Sequence, residues 1–204
     1  MSAFDRLIAK QLANPAGVGG QLVCAVMNRQ NRPLYEATLD LLPPCPGKVL
    51  DVGCGNGFVM AMLAATHKGG LVGIDPAKGV IAEAKRRHRR MISQALMAFD
   101  VGSAEAIGQP SDTFDLAYSI NTVYFWPDAE AGFAEVGRVL KPGGLFFNSL
   151  YTATTLGRFS HTAHGYRKYE PAELVAAARQ AGLTAESIPL FKGGAFCVKA
   201  AKPI

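Results

Sequence analysis

The chain has 204 residues, 49% of them apolar and 18% charged, with 21 Lys and Arg against 16 Asp and Glu for a net charge of +5. These proportions exclude a disordered chain, a collagen-like repeat and a disulfide-stapled mini-protein. The length fits one domain with a substantial core, and so small a positive surplus does not select nucleic acid or an acidic surface as partner.

The opening MSAFDRLIAK carries Asp5, Arg6 and Lys10 where a secretory leader needs an unbroken apolar stretch. No later run reaches the roughly 18 apolar residues of a membrane span. The expectation is a cytoplasmic protein without a membrane partner. Residues 1–46 read as an N-terminal helical cap: a first helix, a loop at Asn14-Pro15-Ala16-Gly17, a second helix over about 20–32 that stops before Pro33, and a short third helix over 34–42. Leu22, Val23, Val26 and Met27 form the apolar face of the second helix, and Pro43-Pro44-Cys45-Pro46 makes a stiff elbow into the first strand.

From residue 47 to 204 short β-rich runs alternate with helical patterns, the signature of an α/β fold with a mostly parallel sheet. Seven strands are predicted at 48–52, 71–75, 95–101, 114–120, 144–150, 184–190 and 195–200, and helices at about 57–66, 77–93, 129–140 and 171–181. Pro171 suits a first helical position and Gly182 a stop. In the second of these helices Ile81, Ala84, His88 and Met91 make an inward stripe, which leaves Lys85, Arg86, Arg87, Arg89 and Arg90 on a solvated face. Cys24, Cys45, Cys54 and Cys197 have no CxxC spacing, so they read as reduced packing residues rather than a zinc site or disulfide framework.

The most informative segment is Val49-Leu50-Asp51-Val52-Gly53-Cys54-Gly55-Asn56-Gly57, an apolar strand running through three alternating glycines into Phe58-Val59-Met60. Glycine there allows turns at positive φ and lets a ligand approach the backbone. A dinucleotide fingerprint would carry Gly or Ala at position 58, where Phe58 stands, and an acid at Asp51 sits badly beside a pyrophosphate but well beside an ammonium group. Asp75 ends the next strand, eighteen residues after Gly57, where a carboxylate can accept both hydroxyls of a ribose. A nucleoside joined to an amino-acid tail satisfies all three features, and S-adenosylmethionine is such a molecule.

With these motifs the sequence resembles the class I S-adenosylmethionine-dependent methyltransferases from about residue 45 onward. The resemblance rests on Asp51 to Gly57, Asp75, Gly102-Ser103-Ala104-Glu105, Ser111-Asp112-Thr113-Phe114-Asp115-Leu116, and Arg138-Val139-Leu140-Lys141-Pro142-Gly143-Gly144, in that order. It implies a Rossmann-like seven-stranded sheet and methyl transfer that leaves S-adenosylhomocysteine. By the resemblance Gly53, Cys54, Gly55 and Gly57 pass under the methionine part, Asp75 with Pro76 holds the ribose, Ser103, Ala104 and Glu105 edge the adenine, and Asn121 faces the methionine side. Ser103 stands where many relatives carry an Asp.

In an open α/β sheet ligands enter beyond the carboxyl ends of the strands, so the acceptor is expected against the cap and the segments after the fourth and fifth strands. Candidate substrate residues are Leu22, Val26, Met27, Tyr124, Tyr151 and Tyr166. Phe125 and Trp126 either wall a pocket or pack the following helix. His161, His164 and Tyr124 are candidate catalytic groups; each histidine is either a base for the acceptor's proton or a polar loop residue without a role. No acid or Cys completes a metal-ligand set around His161 and His164. A small-molecule acceptor is expected, with no nucleic acid; a tRNA or rRNA methyltransferase using residues 85–90 and a non-catalytic cofactor-binding module are the alternatives. Monomer and homodimer remain equally open.

Overall fold

The computed structural model describes residues 17–45, 47–163 and 165–204. A long helix α1 (Gly17–Leu41) leads into β1 (Val49–Val52), α2 (Phe58–Leu63), β2 (Leu71–Asp75), α3 (Lys78–Arg87), α4 (Arg89–Ser93) and β3 (Met97–Val101). The second half runs β4 (Phe114–Ile120), α5 (Ala129–Val139), β5 (Leu140–Tyr151), α6 (Ala153–Leu156), α7 (Pro171–Gln180), β6 (Thr184–Leu190) and β7 (Ala195–Ala201). The seven strands form one sheet in the order β3-β2-β1-β4-β5-β7-β6, in which β7 alone runs antiparallel to its neighbours. The order reverses beside β1, which pairs with β2 on one side and β4 on the other, so loops leaving their carboxyl ends diverge and open a crevice.

Strands buried on both faces need near-continuous apolar sequence, and all four residues of β1 are buried. One face of the sheet packs Leu50, Phe114 and Phe146 against Phe133 and Val136 of α5 and Leu174 of α7. The other packs Val49, Leu116 and Phe147 against Leu34 of α1, Met60 of α2 and Ile81 of α3. Helix ends follow their sequence signals. Asp128 caps α5 by accepting the Ala131 N–H at 3.1 Å, α7 starts at Pro171 with a reciprocal Glu170 and Glu173 capping box, and Gly182 follows α7 at a φ of 85°. Among the described residues no helix is long and apolar enough to cross a membrane.

Several boundaries depart from the sequence reading, among them the end of α2, at Leu63 rather than 66. First, α1 is one continuous helix through Pro33, not two helices broken before it. Proline costs a hydrogen bond there, yet the turn that follows is held by fully buried Leu34 and Thr38 and by an Arg32–Glu36 pair at 2.8 Å. The described part of the expected Asn14–Gly17 loop, Gly17, is already helical; the first helix lies outside the described residues. Second, the helix expected over 77–93 divides at His88, whose ring turns inward to hydrogen-bond Asn56. Third, β3 starts at Met97 because Ala95 takes a φ of 56° and turns rather than extends. Fourth, β5 starts at Leu140, paired with Phe114, and the run Lys141–Gly144 is an irregularity inside the strand, with Gly143 at a φ of 77°.

Leu34→Ala removes a fully buried side chain from the contact between α1 and the sheet. We expect a loss of about 2–5 kcal/mol of stability. Urea unfolding checks it, and a cost below 1 kcal/mol would show α1 to be a detachable appendage.

Candidate functional site

The loop after β1 is fixed from several sides. Gly53 and Cys54 both donate their N–H groups to the Ile74 carbonyl, at 2.8 and 2.9 Å, which ties the loop to the end of β2. Gly53, Gly55 and Gly57 all take positive φ, at 81°, 53° and 75°. A Cβ at Gly53 would lie 2.4 Å from the Thr122 methyl, and one at Gly57 2.7 Å from the Phe99 ring. At Gly55 a Cβ would meet nothing within 4 Å, because that residue faces the open crevice. His88 donates through Nε2 to the Asn56 carbonyl at 3.1 Å and stacks on Phe99 at 5.6 Å. From the other side the Asn28 amide of α1 reaches the Asn56 side chain at 3.4 Å.

Two carboxylates flank this loop. The Asp75 carboxylate accepts the Gly55 N–H on one oxygen, at 3.2 Å, and the Ala77 N–H on the other, at 2.9 Å. Burial raises its pKa, and the two N–H groups oppose the rise. Asp51 is 4% exposed, and burial lifts its pKa to about 7. The neighbouring Tyr118 hydroxyl lowers it and the negative charge of Asp75 adds to the rise.

The end of β4 supplies the opposite side. Asn121 takes a φ of 59° and is anchored by its N–H to the Ser149 carbonyl at 2.9 Å. Thr122 donates to the Val52 carbonyl at 3.3 Å and accepts the Trp126 indole N–H at 3.2 Å, joining β1 to the turn after β4. The Tyr124 hydroxyl accepts the Tyr151 N–H at 2.6 Å and has the Tyr151 carbonyl and Asn121 Oδ1 within 3.2 Å to receive its proton. Burial pushes its pKa well above the usual phenol range. Trp126 packs on Phe133 of α5, while Phe125 sits 4.7 Å from the Tyr166 ring at the mouth.

Together these segments enclose a cavity of about 590 Å³. The glycine loop, Asp75 and residues 102–105 form one side; the other is walled by Tyr124, Phe125, Tyr151, Leu156, Phe159 and Tyr166. α1 closes it with Met27, Asn28, Gln30, Asn31 and Tyr35. The space suits an elongated ligand with a polar and an apolar neighbour.

Comparison with known proteins agrees with this geometry. The methyltransferase domain family matches residues 49–144, from β1 to the irregularity in β5. The match makes this stretch of the chain similar to a methyltransferase domain. A curated relative, the 24-methylenesterol C-methyltransferase 3 of Arabidopsis thaliana, is 32% identical over 63% of this chain, which spans about a third of that relative, 36% of its length. Among solved structures, a methyltransferase of Haloferax volcanii in complex with the Trm112 activator aligns over 100% of this chain and 99% of its own at 19% identity and a TM-score of 0.78. The geranyl diphosphate C-methyltransferase of Streptomyces coelicolor A3(2), crystallised with S-adenosylhomocysteine, geranyl diphosphate and Mg2+, aligns over 96% of this chain and 88% of its own at 16% identity and a TM-score of 0.72.

The expected cofactor residues Asp51, Gly53, Cys54, Gly55, Asp75, Pro76, Ser103, Ala104, Glu105 and Asn121 all line the cavity. Gly57 does not; it begins α2 and packs under Phe99 and His88. Met27, Tyr124, Tyr151 and Tyr166 also line it, whereas Val26 is 48% exposed and is not among the lining residues. The side chains of Leu22 and His161, and all of His164, lie outside the described residues. Sequence reasoning passed over Asn28, Asn31, Tyr35 and Thr122. Three amides in the run Asn28-Arg29-Gln30-Asn31, directly after the apolar Val26 and Met27, were the available signal. Lys85, Arg86, Arg87, Arg89 and Arg90 are exposed on α3 and α4, and none of them lines the cavity. Cys45, Cys54 and Cys197 are free thiols.

The loop geometry separates two glycines of equal appearance in the sequence. Gly57→Ala brings a left-handed backbone and a collision with Phe99 and His88 at once, whereas Gly55→Ala brings only the backbone cost, about 1–2 kcal/mol. Urea denaturation of the two variants is expected to show the larger loss at Gly57.

Proposed function

We propose that this chain transfers the methyl group of S-adenosylmethionine to a small-molecule acceptor. The observation that carries the reading is the two-sided cavity, with two acids and a glycine loop on one side and an aromatic wall on the other. The residues fit the cofactor on their own chemistry. Gly55 leaves open space where a side chain would intrude, and Asp51 is a buried carboxyl for which no described cation provides a partner. In this reading Asp75 accepts the ribose hydroxyls, its orientation preset by Gly55 and Ala77. Asp51 receives the ammonium of the amino-acid tail, and Ser103 to Glu105 border the base.

When bound, S-adenosylmethionine supplies an activated methyl on a sulfonium; transfer makes one bond to the acceptor, breaks one S–C bond, and leaves a thioether and a proton. The chain's task is then to align the acceptor and keep water out. Tyr124 serves this by holding the ends of β4 and β5 together; with its hydroxyl engaged and its pKa raised, it positions the wall and takes no proton. His161 and His164 remain the proposed bases if the acceptor needs one. The relative named for a methylenesterol supports a small acceptor. The basic residues of α3 and α4, standing outside the cavity, give no support to a nucleic-acid acceptor.

Asp75→Ala is expected to weaken S-adenosylhomocysteine binding by roughly 1.5–3 kcal/mol, about 10- to 150-fold, in calorimetry. Unchanged affinity would remove the basis of the reading. Affinity should also depend on pH through Asp51. The ammonium of the ligand favours the ionised carboxyl, so as pH falls below about 7 the site must first give up a proton. Binding then weakens toward tenfold per pH unit. Titrations above and below neutrality check this, and Asp51→Asn should flatten the dependence.

A further inference from the structure

Resting on the methyltransferase reading, we infer that the acceptor chamber is built for an uncharged, largely apolar molecule and discriminates against carboxylate, phosphate and ammonium acceptors. The juxtaposition that assigns this is a chamber whose described walls carry no charge, set against a cofactor side that carries every acid of the described lining. Every charged residue among the described lining is an acid, namely Asp51, Asp75 and Glu105, and all three lie on the glycine-loop side. No Lys or Arg appears in that lining. An anion placed between the aromatic wall and α1 would surrender its hydration with no described cation to replace it.

The opposite wall is neutral too. Asn28, Gln30 and Asn31 offer amides, which can hold a single hydroxyl or carbonyl but cannot compensate a full charge. Phe125, Leu156 and Phe159 supply apolar surface, and burial raises the Tyr166 phenol to about 12, so it stays uncharged at neutral pH. An ammonium acceptor would meet neutral side chains on the aromatic wall and on α1, with Asp75 and Asp51 engaged in the reading above by the ribose and the amino-acid tail of the cofactor. A neutral molecule with one polar end matches this lining without an unpaired charge.

The full chain, saturated with S-adenosylhomocysteine at neutral pH, can be titrated with three matched probes, phenyloctanol, phenyloctanoate and phenyloctylamine. The single tryptophan, Trp126, lines the cavity, so its emission reports occupancy. The alcohol is expected to bind more tightly than either ion by about tenfold or more. Equal or tighter binding of the carboxylate or the amine overturns the inference, as does failure of all three to bind a protein that holds S-adenosylhomocysteine. Failure to hold S-adenosylhomocysteine would instead strike the methyltransferase reading itself. A second variant guards the test: Phe125→Lys, at a half-exposed site on the wall, should move the preference toward the carboxylate by about tenfold. No shift in a variant that circular dichroism shows to be folded would place the probes outside this chamber and overturn the inference.

Discussion

The carboxylate of Asp75 is the point on which the site turns. One oxygen holds the loop after β1 through Gly55, and the other holds the turn into α3 through Ala77, so a single side chain sets the spacing between two loops that the sheet alone would leave to diverge. Both bonds come from backbone N–H groups, which only a substitution to proline removes. The consequence is preorganisation: the crevice at the reversal of strand order has its shape before a ligand arrives. The glycines follow from the same constraint. Gly53 must pass Thr122, and Gly57 must pass Phe99 and His88, so the loop hugs its supports on one side and leaves Gly55 open on the other.

The electrostatics divide along the same line. Placing Asp51 in the interior opposes its ionisation, and the neighbouring charge of Asp75 opposes it further. An acid whose folded pKa exceeds its unfolded value binds more protons when folded, so its ionisation works against the fold between pH 3.8 and about 7. The ligand-free protein therefore carries a cost at neutral pH that a cation delivered to Asp51 would relieve. Asp51 stands in β1, paired with Gly73 and Tyr118, and lines the cavity, so in the proposed reading stability and cofactor binding are linked through one residue.

Much of this was legible in the sequence, for reasons that differ between elements. Strands β2, β4 and β6 begin and end where expected because Gly, Pro, Asp or Asn punctuates each one. The glycine loop and its two acids were legible because few residue types tolerate their geometry. What escaped was decided by tertiary contacts. Pro33 reads as a break in any local window, and only the burial of Leu34 and Thr38 explains a helix that runs through it. His88 was correctly placed on an inward stripe, but its bond to Asn56, which divides the helix, joins residues 32 apart. Tyr124 reads in the sequence as a candidate catalytic and substrate residue; in the structure it lines the cavity, and its bond to Tyr151, which joins the ends of β4 and β5, has no local sequence signal.

The same contacts change what the N-terminal segment is. From the sequence, residues 1–46 read as a helical cap set apart from the sheet domain that follows. In the structure α1 does two things along one axis: around Leu34 and Thr38 it belongs to the core beneath the sheet, and one to two turns earlier, at Met27, Asn28 and Asn31, it forms a wall of the cavity. Asn28 further joins that wall to the glycine loop through Asn56, which His88 grips from the other side. A helix so shared cannot be cut near residue 32 without removing a wall of the cavity and disturbing the turn that carries buried Leu34 and Thr38. In the proposed reading the wall that meets the acceptor is therefore part of an element whose position is set by the same burial that stabilises the fold, and the residues it offers to the cavity are the amides Asn28, Gln30 and Asn31.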